Sequence, residues 1–178
     1  MDELAPGLWR WTAACGGPGG WERDVASAAV ASDGVLVVVD PLHERNAREV
    51  AARYGAAVRA SDVACSRLRC EAEPIGDAFP GLVALPLGGV DGDGLLLRLP
   101  GHVTLVAEEA LTGTAEGLRT SASPKLVSRD AWRASLDALL EPPVERVLPA
   151  HGPPALERGR EAIAAALARP DWSAERPR

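Results

Sequence analysis

A run of five aliphatic residues, Val35 to Val39, followed by Asp40-Pro41, constrains the fold more than any other feature. Four of the five are valine, which favours strands, and a continuous aliphatic run is typical of a strand buried on both faces. Asp33-Gly34 before the run is a hairpin signal, so Val25–Ser32 predicts a neighbouring strand. The sequence therefore predicts a sheet with other layers packed on it.

The rest of the chain alternates between strand and helix patterns. Apolar residues at helical spacing predict helices at Glu44–Tyr54, after Ser128, and before Pro170. Further strands are predicted at Gly7–Thr12, Ala56–Ala60, Leu82–Leu87, Leu95–Leu99, Val103–Ala107 and Val144–Ala150. Thr112–Pro124 is small and polar and predicts a loop. We expect a layered α/β protein with mixed sheets, one domain over 1–170 and a disordered tail over 171–178.

Charge and composition limit the classes of partner. A net charge of -6 argues against a nucleic-acid surface, which needs a basic stripe. No apolar run is long enough to span a bilayer, and the first residues lack a secretory pattern, so we expect a cytoplasmic protein. Cys15, Cys65 and Cys70 form no CxxC pair and are expected to be free thiols.

Four segments, in order, resemble the metallo-β-lactamase superfamily over residues 4 to about 168. Pro6–Trp11 is similar to that family's opening strand, and Ala28–Pro41 to its hairpin ending in an Asp. Val103–Leu111 resembles its strand ending in GDAL, and Val144–Gly152 its late strand ending in HG. The resemblance implies a shortened four-layer αββα sandwich of two mixed sheets, with any site at the strand ends between them.

The resemblance also implies metal chemistry, in which a bound ion acidifies a water molecule. The family's ligands come from an HxHxDH turn, a later His, a bridging Asp and a final His. This chain has no HxHxDH, and its three histidines, His43, His102 and His151, are too few for a dinuclear site. The turn that carries the motif matches Asp62 to Arg67, where Arg67 places a fixed cation that opposes metal binding.

The remaining ligand positions are partly changed. The middle His matches Val90, the bridging Asp matches Glu109, and only His151 is retained. In the family, the Asp that matches Asp40 orders the ligand loop by hydrogen bonds. The resemblance thus makes Asp40, Asp62, Glu109 and His151 the candidates for a degenerate binding pocket.

Each candidate also has a purely structural interpretation. His151 can be a loop residue hydrogen-bonded to backbone, and Glu109 the charged end of a strand. Asp62 can form an ion pair with Arg67 that closes their turn. Asp40 can serve structure alone.

Other conspicuous residues favour structural roles. His43 is interpreted as an exposed residue at a helix N-terminus, and His102 as a solvated turn residue. Trp9, Trp11 and Trp21 are expected to fill a core or cover a hairpin, with a ligand cage as the alternative.

Three functions are compatible with these observations. The first is a catalytically inactive relative (a pseudoenzyme) that needs no cofactor and binds an unknown small molecule or protein. A homodimer is compatible with it, since self-association is one way to cover an exposed sheet edge. The second is a hydrolase with one weakly bound zinc on Asp62, Glu109 and His151. The third is a structural domain without a pocket.

Overall fold

The computed structural model describes residues 2–14, 24–30, 35–37, 44, 46–75, 81–91, 94–121 and 126–169. The chain divides into two compact units, Met1–Pro80 (unit 1) and Gly81–Arg178 (unit 2). Within the described ranges, no helix has the length and apolar character required to cross a membrane. The expectation of one domain over 1–170 stays a prediction.

The described residues of unit 1 form a mixed sheet and two helices. Its elements are β1 (Asp2–Ala5), β2 (Leu8–Ala14), β3 (Asp24–Val30), β4 (Val35–Val37), α1 (Ala47–Tyr54), β5 (Ala57–Ala60), α2 (Asp62–Cys65) and β6 (Glu73–Pro74). Successive pairs from β1 to β4 are antiparallel, whereas β4–β5 and β5–β6 are parallel. The parallel step from β4 to β5 requires a crossover, and α1 lies on it.

The helix α1 forms where the helical spacing of apolar residues predicts it. Ala47 and Ala51 are buried, and the helix ends at Gly55, whose φ of 62° is left-handed. Trp11 packs against these alanines, with 4% of its surface exposed. Its indole Nε1 donates a hydrogen bond to Asn46 Oδ1, so the ring is buried without an unsatisfied donor.

Unit 2 places a long central strand among four others. Its elements are β7 (Val83–Pro86), β8 (Leu95–Leu99), β9 (Thr104–Thr114), β10 (Gly117–Thr120), α3 (Arg129–Asp137), β11 (Arg146–His151) and α4 (Gly159–Leu167). The strand β9 pairs antiparallel with β8 and β10 and parallel with β11, and β7 pairs with β8. Ser128 caps α3, as predicted, by accepting a hydrogen bond from Ala131 N.

Both helices of unit 2 pack on one face of this sheet. Trp132 and Leu136 of α3 and Ile163 of α4 are buried together with Leu105 and Val147 of the strands. These five side chains are at most 1% exposed. This core fixes one face of β9, so residues that alternate with it lie on the other face.

One prediction is wrong, and others fall outside the described ranges. The expected loop Thr112–Pro124 contains the end of β9 and all of β10, which form a hairpin with Leu118 in the core. Small and polar residues there pair with a neighbouring strand, which their local pattern does not indicate. The predictions for Asp40, His43, Trp21, Cys15 and the tail after Pro170 lie outside the described residues.

Candidate functional site

Glu109 and His151 come together at the end of β11. His151 Nε2 lies 3.7 Å from Glu109 Oε1, and 15% and 35% of the two side chains are exposed. This separation exceeds a hydrogen bond, and both residues make further interactions within the chain. A half-buried imidazole beside a carboxylate presents hydrogen-bond donors and acceptors to a ligand at one place.

An irregularity in β9 places Glu109 at this point. Leu148 pairs with Val106, but Pro149 pairs with Glu108 and His151 with Thr112, so β9 bulges relative to β11. Glu108 adopts a φ of 45°, which is rare for a residue with a side chain. Strained backbone of this kind persists only where the surrounding structure holds it in place, and it is concentrated at functional sites.

A close backbone crossing positions His151. A Cβ atom on Gly113 would lie 2.0 Å from the carbonyl oxygen of Pro153. A Cβ atom on Gly152, whose φ is 76°, would lie 1.9 Å from the carbonyl oxygen of Gly113. Only glycine permits this approach, and the crossing fixes the chain directly after His151.

The turn that matches the family's HxHxDH motif is a one-turn helix in unit 1. Ser61 caps it by accepting a hydrogen bond from Ala64 N, 3.1 Å away. Asp62 and Arg67 are exposed, and no ion pair joins these two described residues. The alternative in which they form an ion pair therefore lacks support, and a pocket role for Asp62 stays a prediction.

Val90, at the family's middle-ligand position, belongs to the core of unit 2. It packs against the core cluster and forms an isolated bridge with Leu126. The preceding Gly89 has a φ of 74°, and a Cβ atom there would lie 2.0 Å from Ser128 O, so the turn is seated on the start of α3. An aliphatic side chain suits this position because it faces other apolar groups.

Three other sequence interpretations can be followed in the structure. His102 is half-buried in a 3-10 turn, and its backbone carbonyl accepts hydrogen bonds from Thr104 Oγ1 and Arg146 Nη1. Cys65 and Cys70 are not in a disulfide bond, as expected, and Cys70 is buried. Trp9 packs against the same core as Trp11, which supports the core role over a ligand cage.

Cys70 has a distinctive environment. Burial raises the pKa of its thiol, and Glu44 raises the pKa further by hydrogen bonding and charge. The Glu44 carboxylate accepts hydrogen bonds from Arg69 N and Cys70 N at 2.9 and 2.8 Å. This carboxylate therefore stabilises the segment that follows the turn Ser61–Arg67.

The donor set for a metal is incomplete among the described residues. Two ligands of one zinc ion, each at about 2 Å, lie no more than about 4 Å apart, so Glu109 and His151 satisfy that distance. A catalytic zinc uses three protein ligands, however. The described ranges contain no group of three or more His, Cys, Asp or Glu that could hold an ion.

The sequence interpretation misses residues that flank this pair. Thr112 pairs with His151 on one side and with Arg119 on the other, and Arg119 is buried. Both fall in the stretch interpreted as a loop. The turn Ala115–Glu116 between two short Thr- and Leu-containing segments is the signal that indicates a hairpin there.

Comparison with solved structures identifies the fold. The chain is similar to a metallo-β-lactamase from Pontibacter korlensis, with 16% identity, a TM-score of 0.61, and coverage of 95% of this chain and 98% of that one. A metallo-β-lactamase from Erythrobacter litoralis gives 17% identity, a TM-score of 0.62, and coverage of 94% and 89%. FIM-1 from Pseudomonas aeruginosa, described in a mono-zinc form, gives 15% identity, a TM-score of 0.58, and coverage of 93% of both chains.

The class of the fold follows directly. The chain has a metallo-β-lactamase-like α/β fold, so the resemblance found in the four sequence segments is confirmed at the level of the fold. No family model matches the chain, and a search of curated proteins finds no match. At these identities the likeness shows the fold alone.

Proposed function

We propose that the chain is a non-catalytic relative of the metallo-β-lactamase-fold hydrolases that has lost the dinuclear metal site. It binds a small molecule or a protein through the polar group formed by Glu109 and His151. The observation that carries this proposal is their half-buried contact of 3.7 Å beside a strained strand bulge. A carboxylate and an imidazole that are held together beside strained backbone are typical of a ligand-binding site.

The residues at two other ligand positions of the family support loss of the metal site. Val90, at the position of a ligand histidine, packs with apolar side chains. Asp62 is exposed, and it lies on the one-turn helix α2, which is capped by a hydrogen bond within the turn itself. The side chain of Val90 has no nitrogen, oxygen or sulfur atom with which to bind zinc, which supports the proposed loss of the middle ligand.

Metal content tests this proposal. Full-length protein, His151→Ala and the matched control His102→Ala are purified without chelator, and bound metal is measured by plasma mass spectrometry. We expect substoichiometric metal in all three. The control removes one imidazole from a turn in which the backbone carbonyl makes the described hydrogen bonds. Stoichiometric zinc in wild type and His102→Ala that is lost in His151→Ala contradicts the proposal.

That contrary result supports the second candidate, a hydrolase with one metal. The contact between Glu109 and His151 is short enough for both to bind one ion. A protein similar in fold, FIM-1, is described in a mono-zinc form. Zinc would supply an acidified water molecule, and Glu109 and His151 would provide two of the three protein ligands that a catalytic zinc uses.

We also propose self-association, because the sheet of unit 2 ends at an edge. Among the described residues of unit 2, β7 pairs with β8 alone, and an unpaired edge can join a second chain. Sedimentation equilibrium of wild type and Ala84→Lys tests this, since Ala84 is exposed on β7. We expect a dimer that the lysine dissociates; a wild-type monomer contradicts the proposal.

A further inference from the structure

Arg119 is a charged side chain within unit 2, with 6% of its surface exposed. The preceding residue, Leu118, belongs to the core beneath α3 and α4. Because successive side chains of a strand point to opposite faces, Arg119 faces away from those helices. Burying a guanidinium is costly unless polar or charged groups compensate it, so its position requires a chemical reason.

Strand register places Arg119 in one row with two other polar residues. Arg119 pairs with Thr112 across β10 and β9, and Thr112 pairs with His151 across β9 and β11. Directly paired residues on neighbouring strands present their side chains to the same face. Two strand spacings separate the ends of the row, which is about 10 Å between the Cα atoms of Arg119 and His151.

The chemistry of the row favours an anionic group. A guanidinium has five N–H donors in a planar fork that matches a carboxylate or a phosphate. Arg119 makes interactions within the chain, and a guanidinium, with five N–H donors, can bind a ligand as well as a protein partner. The Thr112 hydroxyl and the His151 imidazole add further hydrogen-bonding groups along the same line.

Glu109 makes the two ends of this row differ in charge. Its carboxylate lies 3.7 Å from His151 Nε2, so negative charge is disfavoured at that end. We infer that Arg119, Thr112 and His151 form a binding site for a small anionic ligand. Its carboxylate or phosphate lies at Arg119 and Thr112, and a hydrogen-bond donor of the ligand faces Glu109. This inference rests on the proposed binding function and adds the chemical class of the ligand.

The test is a titration of full-length, chelator-treated protein with inorganic phosphate and, separately, with malonate. Histidine imidazole signals are followed by NMR and assigned with His102→Ala and His43→Ala. We expect a saturable shift of the His151 signals with at least one anion, while the His102 signals stay in place. Binding of phosphate alone or of malonate alone identifies which anion the site selects.

Variants separate the row from general electrostatics. Arg119→Gln weakens binding by about tenfold or more, the effect of losing one charged hydrogen-bond partner, and Thr112→Val weakens it by about threefold. Arg133→Gln is the matched control, because Arg133 lies on α3 outside the row and binds Leu167 O. If Arg119→Gln fails to fold, Arg119→Lys, which keeps the charge but loses the fork, takes its place.

The outcomes distinguish this inference from the proposed function. No saturable shift in wild type overturns the inference, as does unchanged affinity in both the Arg119 variant and Thr112→Val. Equal weakening by Arg133→Gln also overturns it. Metal is measured before chelation on the same preparation: stoichiometric zinc overturns the proposed function, whatever the anions do.

Discussion

The turn Ser61–Arg67 in unit 1 and the β9–β11 crossing in unit 2 are both regions where the family resemblance places metal ligands. The turn is closed by local hydrogen bonds, from Ala64 N to Ser61 Oγ and from Ser66 Oγ to Val63 O. The crossing instead joins residues far apart in the sequence, Gly113 with Gly152 and Glu109 with His151. A locally closed turn tolerates new side chains, whereas a crossing of two backbones restricts them.

Gly152→Ala tests this contrast most strongly. The new Cβ atom would lie 1.9 Å from Gly113 O, at a φ of 76°. We expect the free energy of unfolding to fall by about 3 kcal/mol, from overpacking and left-handed strain together. Urea denaturation measures it. Gly101→Ala, where a Cβ atom meets nothing within 4 Å, is the control and should change stability by less than about 0.5 kcal/mol. Equal losses of stability in Gly152→Ala and Gly101→Ala would contradict the contrast between the turn and the crossing.

Glu44→Ala examines the segment that follows the turn. Two backbone amides lose a carboxylate acceptor, and hydrogen bonds to charged groups contribute about 1.5–3 kcal/mol. We expect a loss of about 2 kcal/mol in the free energy of unfolding by the same denaturation assay. Glu49→Ala, on the exposed side of α1, is the control. A loss no larger than the control's would show that this segment is stabilised elsewhere.

The thiol of Cys70 gives an independent measure of that environment. Burial and Glu44 raise its pKa, so the neutral thiol is favoured in the folded state. Stability should therefore fall as pH rises from the ordinary thiol pKa of about 8.5 towards the raised value. In a Cys15→Ser, Cys65→Ser background, Glu44→Gln should move the alkylation profile of Cys70 to lower pH. An unmoved profile would assign the whole shift to burial.

Ser61→Ala removes the cap of the one-turn helix. Loss of a serine N-cap costs about 1 kcal/mol, and we expect a fall of that size in the free energy of unfolding. Ser61→Asp, which can still accept from Ala64 N, should retain most of the stability. If both substitutions are equally damaging, the cap is not what closes the turn.

Asp62→Asn should have the smallest effect. The side chain is exposed, so we expect a change within about 0.5 kcal/mol in thermal and urea unfolding. Anion affinity should also be unchanged, because Asp62 is not part of the row in unit 2. A loss of ligand affinity would instead give the turn a part in binding and weaken the contrast between the two regions.

The sequence predicts the regular elements well where periodicity is strong. Leu95–Leu99 is a strand as predicted, and α1 ends at Gly55 as its pattern indicates. The predicted strand Val103–Ala107 continues to Thr114, because β10 and β11 provide pairing that its own residues do not indicate. The two-residue strand β6 is defined only by its partner β5, so no local pattern could predict it.

The candidate site is predictable only in part. The family resemblance selects Glu109 and His151, and the structure brings them together. Their neighbours Thr112 and Arg119 are invisible to a single sequence, because register across three strands determines which residues share a face. The left-handed Glu108 is equally hidden, since its conformation depends on the offset between β9 and β11.

The parallel pairing of β9 with β11 also has a kinetic consequence. The β8–β9 and β9–β10 hairpins close over short loops, whereas β11 must return from beyond α3. Pairing between distant segments forms slowly, because the entropy of loop closure must be overcome before any contact compensates it. The hairpins therefore assemble first, with one edge of β9 exposed to other chains. Glu109 and His151 meet only when β11 docks, so a ligand at this pair, as we propose, would stabilise the chain only after that step.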